Sequence, residues 1–106
     1  MLRERELIIE RINYCCGRIQ APYMKRRVIH LLDKIEALAP ELIIRKNPNV
    51  VAAQLVCLVA RAQNRQDVTH TTLGTIMNTS APSVGKYKHY LEPWVRTNRL
   101  MRGLRK

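Results

Sequence analysis

The chain contains no phenylalanine, a single tryptophan and only four glycines. Large rings and flexible turns are therefore scarce, and what remains is rich in Leu, Ile, Val, Ala and Arg. That composition favours helices over sheet. Acidic residues are also few. Eight Asp and Glu face 19 Lys and Arg, a formal charge of +11. So large an excess on 106 residues, enough for one domain, implies a polyanionic partner, most often nucleic acid. The plainer reading is a ribosome-associated or merely basic protein that reads no sequence.

Cysteine pairs are missing as well. Cys15, Cys16 and Cys57 are an odd set without framework spacing, which argues against a disulfide scaffold and for a reducing compartment. Adjacent Cys15 and Cys16 point to different faces of a helix. No Cys-x-x-Cys or His-x-x-x-His occurs, and His30, His70 and His89 stand alone, so four zinc ligands at workable spacing are lacking. Long apolar runs are absent too: the longest, Val50 to Ala62, is interrupted by Gln54 and Arg61 and is too short to span a bilayer. The N-terminus, MLRERELIIER, is charged rather than leader-like. The expectation is a soluble, intracellular protein, in the cytoplasm of a prokaryotic cell or in a nucleus, with no membrane partner. Catalysis finds no support either. The acids are scattered, no serine has a partnered histidine, and no glycine-rich phosphate loop exists. The chain reads as no enzyme, with no metal and no cofactor.

Apolar spacing points to helices throughout. From about Arg3 to Ile19, residues Ile8, Ile12, Cys15, Cys16 and Ile19 fall on one stripe, with Arg5, Glu6, Glu10 and Arg11 outside it. Gln20-Ala21-Pro22 breaks this helix, and Pro22 opens the next at its first turn. The second runs to about Leu38 with Met24, Val28, Leu31, Leu32, Ile35 and Leu38 inward. Lys25, Arg26 and Arg27 crowd its first turn against the helix dipole, as a solvated face or an anion-binding one. Pro40 stops it. Glu41 to Lys46 is a connector carrying Leu42, Ile43 and Ile44, a short helical turn laid over the core.

Asn47-Pro48 announces the third helix, with Asn as cap and Pro in the first position. Its NVVAAQLVCLVARAQ is apolar on nearly every face, so other helices must surround it. Ala52, Ala53 and Ala60 allow close approach, and Gln54 and Arg61 are expected at its rim. After the polar turn Asn64 to Asp67, a fourth helix follows a threonine cap and presents Leu73, Ile76 and Met77 inward. Asn78-Thr79-Ser80 breaks it. The fifth starts near Ala81-Pro82 with Ser80 as cap and ends near Pro93. Val84, Tyr87 and Leu91 lie on its buried side, while Pro82, Gly85, Lys86 and His89 face away. Gly85 inside a helix costs about 0.5–1 kcal/mol relative to Ala. On an exposed face it permits close approach of DNA or of a partner helix, or it marks a tolerant position. Trp94 reads as a lid over helices one and five, with base stacking as the alternative. The tail to Lys106 is an amphipathic sixth helix or a basic extension that orders on binding. Residues 80–106 hold seven basic residues against one acidic, Glu92, which is +6 of the +11.

Several of these stretches together resemble a known family. Pro-Asn-Val-Val-Ala-Ala-Gln-Leu-Val-Cys-Leu-Val-Ala-Arg is similar to the central helix of the cyclin-like repeats of transcription factor IIB and archaeal transcription factor B. Val-Thr-His-Thr-Thr-Leu-Gly-Thr-Ile-Met-Asn-Thr-Ser resembles the family's next helix. Ala-Pro-Ser-Val-Gly-Lys-Tyr-Lys-His-Tyr-Leu resembles its last, basic one. The Gln-Ala-Pro before the second helix is similar to the family's Leu-Pro. The resemblance covers about Ile8 to Leu91. It implies an all-α, cyclin-like five-helix bundle around a buried third helix, over residues 1–93, with a basic C-terminal extension, 94–106. It implies further that helices four and five form a helix-turn-helix whose second helix enters the major groove of double-stranded DNA.

On that alignment Ser83 takes the family's Thr position and Val84 its Ile. Gly85 stands where the family often has a DNA-contacting Arg, and Tyr87 lies one residue before the usual tyrosine. Only one repeat is present, and no zinc ribbon, so this chain alone is not expected to bridge TATA-box protein and polymerase. The expected DNA-binding residues are Ser80, Ser83, Lys86, Lys88, His89, Arg96, Arg99 and Arg102, with lysines on phosphates or a guanine edge. The alternative is a cyclin-box docking module that binds transcription machinery or a second copy of itself. RNA or ribosome binding is a third possibility.

Overall fold

The computed structural model describes residues 2–44 and 46–97, with the side chains of residues 2–4, 81, 86–90 and 97 outside that description. Among the described residues the fold is all-α. Its five α-helices are α1 (Leu2–Arg18), α2 (Lys25–Leu38), α3 (Pro48–Ala62), α4 (His70–Ile76) and α5 (Ala81–Thr97). Two 3-10 turns, Pro22–Met24 and Pro40–Leu42, flank α2.

The centre of the molecule is α3, which packs against all four other α-helices. Every residue from Val51 to Ala60 is buried, as an apolar rod with small Ala52, Ala53 and Ala60 requires. Asn47 caps it by accepting a hydrogen bond from the Asn49 amide at 2.9 Å, and Pro48 occupies its first turn. The α1 stripe is buried as its spacing demands: Ile8, Ile12, Cys15, Cys16 and Ile19 all enter the core. Cys15 and Cys16 are neighbours in sequence, yet both are fully buried, because α1 sinks a face wider than one residue's 100° step. Met24 in the preceding 3-10 turn and Val28, Leu31, Leu32 and Ile35 in α2 are buried.

Several expectations are corrected. Gln54 is not at the rim of α3; it is fully buried, because α3 is covered from every side at mid-length. Among the described residues neither atom of its amide has a hydrogen-bond partner. Leu38 is 60% exposed rather than inward: α2 ends there, and Ala39 turns the chain away with φ −149°. The second helix opens as a 3-10 turn at Pro22 and becomes α-helical only at Lys25. The fifth helix does not stop near Pro93 but runs through it to Thr97. Pro93 lies on the exposed side, while the buried Val95 and the partly buried Trp94 hold the following turn onto the core. That packing outweighs the one backbone donor that proline lacks.

Three helices end in the same way. Gln20, Asn64 and Asn78 adopt left-handed backbone, with φ of 57°, 61° and 53°. After each, the next amide reaches back five residues: Ala21 to the Cys16 carbonyl at 2.8 Å, Arg65 to Ala60 at 2.8 Å, and Thr79 to Gly74 at 2.8 Å. These are Schellman caps, which satisfy carbonyls left over at a helix end. Glycine usually supplies the left-handed residue; here Gln and Asn do.

Candidate nucleic-acid interface

The α4–α5 corner is assembled from hydroxyl side chains, because both helices begin with the same cap. Thr69 Oγ1 accepts from the Thr72 amide at 3.1 Å and pairs with Thr72 Oγ1 at 3.0 Å. Ser80 Oγ accepts from the Ser83 amide at 3.1 Å and donates to Ser83 Oγ at 2.7 Å. In each case a hydroxyl satisfies one of the orphan amides of a first helical turn. The second cap divides labour between two expected site residues. Ser80 spends both its acceptor and its proton on the cap. Ser83, by accepting that proton, is left to donate its own outward from an exposed position.

Along α4 and the corner after it lies an open depression of about 500 Å³ lined by Thr71, Gly74, Thr75, Asn78, Thr79 and Ser80. Its lining is hydroxyl and amide on exposed backbone, with Thr75 Oγ1 donating to the Thr71 carbonyl at 3.1 Å. Donors of this kind suit phosphate oxygens. Thr71, Thr75, Asn78 and Thr79 were not singled out from the sequence as contacts. The signal available was the density of threonine between Val68 and Ser80.

Gly85 is not on an open face. An added Cβ there would meet His70 Nδ1 at 3.4 Å and Cε1 at 3.7 Å. The first residue of α4 thus lies beside the second turn of α5, at a distance where a Cβ on residue 85 would make ordinary van der Waals contact with the imidazole. The neighbour there is a histidine side chain of the chain's own α4 rather than a closely approached backbone, and the space accepts a Cβ, as a tolerant position would.

Ser80 and Ser83 are thus brought together at the head of α5. Lys86, Lys88 and His89 lie on α5, with side chains outside the described residues. Tyr87 does so too, so its expected burial falls outside the description. Arg96 is on the last turn of α5 and is exposed, with Nη2 2.9 Å from Glu92 Oε1. Its charge is partly matched within its own helix. Arg99 and Arg102 lie outside the described residues, as does the rest of the basic extension.

A second polar centre holds the frame behind this corner. Arg65 donates to Asp67 through Nε and Nη2 at 2.9 Å each, to the Ile19 carbonyl at 3.0 Å and to the Tyr23 hydroxyl at 3.2 Å. Those bonds raise the Arg65 pKa further above its ordinary range and hold the Asp67 carboxyl below the usual one. They join the turn after α3 to the corner between α1 and α2. The cysteines offer no site. Burial pushes the Cys15 thiol up to about 12, helped by Cys16 and Cys57, and pushes Cys16 up to about 11, against a lowering pull from Lys25. Neutral buried thiols are poor nucleophiles. Among the described residues no group of three or more His, Cys, Asp or Glu could hold a metal ion, and no helix is long and apolar enough to cross a membrane.

Compared with protein-family models, with curated proteins and with solved structures, the chain finds no match.

Proposed function

We propose that this chain is a cyclin-like domain, similar to one repeat of the transcription factor IIB family, that binds double-stranded DNA through a helix-turn-helix formed by α4, its corner and α5. The observation that carries the reading is the hydroxyl-lined corner that ends α4 and caps the start of α5. It sits in a protein of net charge +11, with Lys86 and Lys88 following on α5. A helix-turn-helix holds its second helix proud of the body, and the N-terminal residues of that helix meet the groove. Ser83 supplies a hydroxyl donor at that position and the lysines supply charge. Gly85, beside His70, offers no side chain for base readout. The affinity is therefore expected to be mainly electrostatic.

Duplex binding measured against salt tests this. Log K should fall with log salt at about −0.9 per phosphate contacted. Replacing Lys86 and Lys88 with Ala should lower both the affinity and that slope by about two contacts' worth. A double variant that binds like the parent removes α5 from the interface.

The docking-module reading draws on a different observation. Leu7, Leu38 and Ile44 are exposed apolar side chains, Leu38 to 60%, and they suit transcription machinery or a second copy of the chain. Self-association that disappears in Leu38→Ser, with duplex binding absent, would favour it.

A further inference from the structure

The charge on this molecule is divided end from end in a way the α4–α5 corner does not use. Arg5 Nη1 lies 2.6 Å from Asp33 Oδ1 and 3.7 Å from Glu36 Oε2, so the start of α1 lies beside the end of α2. The two helices therefore run antiparallel. Glu6, Asp33, Glu36 and Glu41 belong to the segments at that end together with Arg5, Lys34 and Lys46, so its charge is mixed. At the other end the chain has no acidic residue from Arg11 to Leu32, while Arg11, Arg18, Lys25, Arg26 and Arg27 are basic. Arg65 pins this end to the turn after α3 through the Ile19 carbonyl and the Tyr23 hydroxyl. That brings the last turn of α3, with exposed Arg61, to the same end. The acidic residue there, Asp67, is engaged by Arg65.

Two tyrosines stand in this basic surface. Tyr23 is 62% exposed and Tyr14 44%. Two large, largely apolar side chains are thus left in water close in sequence to Arg18, Lys25 and Arg26. Arg18 donates to the Tyr14 hydroxyl at 2.8 Å, with its guanidinium carbon 5.8 Å from the ring centroid. The Tyr23 hydroxyl is tethered by Arg65 while its ring remains in solvent. Each ring is held by a hydrogen bond at its far edge. The basic turn at Lys25–Arg27 opposes the dipole of α2, so it weakens the helix that carries it.

We propose that the α1–α2 corner is a binding surface for single-stranded nucleic acid, with Tyr14 and Tyr23 as stacking platforms and Arg18, Lys25 and Arg26 on the phosphates. Single strands are bound by a positive track with aromatic faces on which unpaired bases lie. A duplex hides those faces, and an acidic protein segment has no use for them. The proposal stands apart from the α4–α5 reading.

The experiment is fluorescence anisotropy of the full chain with a labelled 12-nucleotide oligothymidylate, with a labelled duplex measured in parallel. Tyr14→Ala and Tyr23→Ala should each weaken strand binding about five- to a hundredfold. Tyr23→Phe, which keeps the ring and gives up the Arg65 hydrogen bond, should bind the strand like the parent. The Lys25→Ala/Arg26→Ala variant should reduce the slope of log K against log salt by about 1.4, two strand phosphates at 0.7 each. Strand affinity unchanged in both Tyr→Ala variants overturns the proposal. So does equal loss of strand and duplex binding, which would place the damage in the fold. Displacement of the strand by polyglutamate at equal charge concentration, as readily as by unlabelled oligothymidylate, overturns it in favour of an acidic protein segment. Because the duplex arm reads α5 separately, either surface can fail while the other stands.

Discussion

Gln54→Met should make the protein more stable. Gln54 sits at the middle of α3 with no exposed area, and among the described residues its amide nitrogen and oxygen have no partner. A buried donor or acceptor left unsatisfied costs about 1–3 kcal/mol. Two such atoms in one side chain therefore carry a gross penalty of roughly 2–6 kcal/mol. Methionine has the same unbranched reach, is flexible enough to fill the space, and removes both polar atoms. A volume-conserving swap gives back less than about 1.5 kcal/mol through imperfect fit. The net gain is then at least about 0.5 kcal/mol and at most about 6 kcal/mol. For a domain of this size, each kcal/mol moves Tm by about 4–8 °C. Urea unfolding followed by circular dichroism reads the change directly, provided the m-value is unchanged. A Gln54→Met variant with stability equal to or below the parent would refute the reasoning, because it would mean that the amide is satisfied in solution. Gln54→Glu is the complementary probe. It places an ionisable group where burial favours the neutral form, so that variant should lose stability as pH rises and recover as its carboxyl is protonated.

Further outcomes follow from the caps and the thiols. Gln20→Gly should stabilise by about 0.5–1 kcal/mol, because the left-handed backbone at φ 57° strains a side chain that glycine lacks; thermal denaturation measures it. Ser80→Ala should cost about 1 kcal/mol through loss of the α5 cap, whereas Ser83→Ala should alter stability less and weaken duplex binding more. For the cysteines, the folded pKa values lie above the ordinary 9.0. Their contribution is therefore fully present below pH 9 and is lost as pH rises from 9 through about 11 to 12. The parent should lose stability over that window more steeply than a Cys15→Ala/Cys16→Ala variant, as read by urea midpoints. A thiol reagent at neutral pH should modify Cys15 and Cys16 only as fast as the protein opens.

What could be read from the sequence was what is decided locally. Ile8, Ile12, Cys15 and Ile19 announce the buried face of α1 through spacing alone. Asn47-Pro48 and Ser80 announce their caps because a cap bonds within three residues of itself. The unbroken apolar run of α3 announces its central place. What escaped was decided by distant neighbours. Pro93 continues a helix because Trp94 and Val95 pack on the core. Leu38 belongs to a correct stripe but overhangs its end. Gly85 and His70 are fifteen positions apart, and nothing local says that they meet. Gln54 is polar and reads as an edge residue; only the covering of α3 on all sides shows otherwise. At the candidate site, Ser80 was legible as a cap, while Ser83 came from the family resemblance and its pairing with Ser80 was not foreseen. The depression lined by Thr71, Thr75 and Thr79 was not legible, since it exists only once the corner after Ile76 folds back beside α4.

The Schellman ends at Gln20, Asn64 and Asn78 also have a mechanical consequence. A helix that stops in a bonded left-handed residue and restarts within a few positions leaves a joint with almost no slack. Asn78 and the Ser80 cap couple α4 to α5 as one bent lever. If a groove pulls on the head of α5, the force is not absorbed in the corner but passes to the seat of the lever on α3. There α3 is buried from Val51 to Ala60 and packs against both members of the pair. Adjustment to a ligand would then be a translation of the whole pair, and stiffness at the corner would be what makes distant packing responsive.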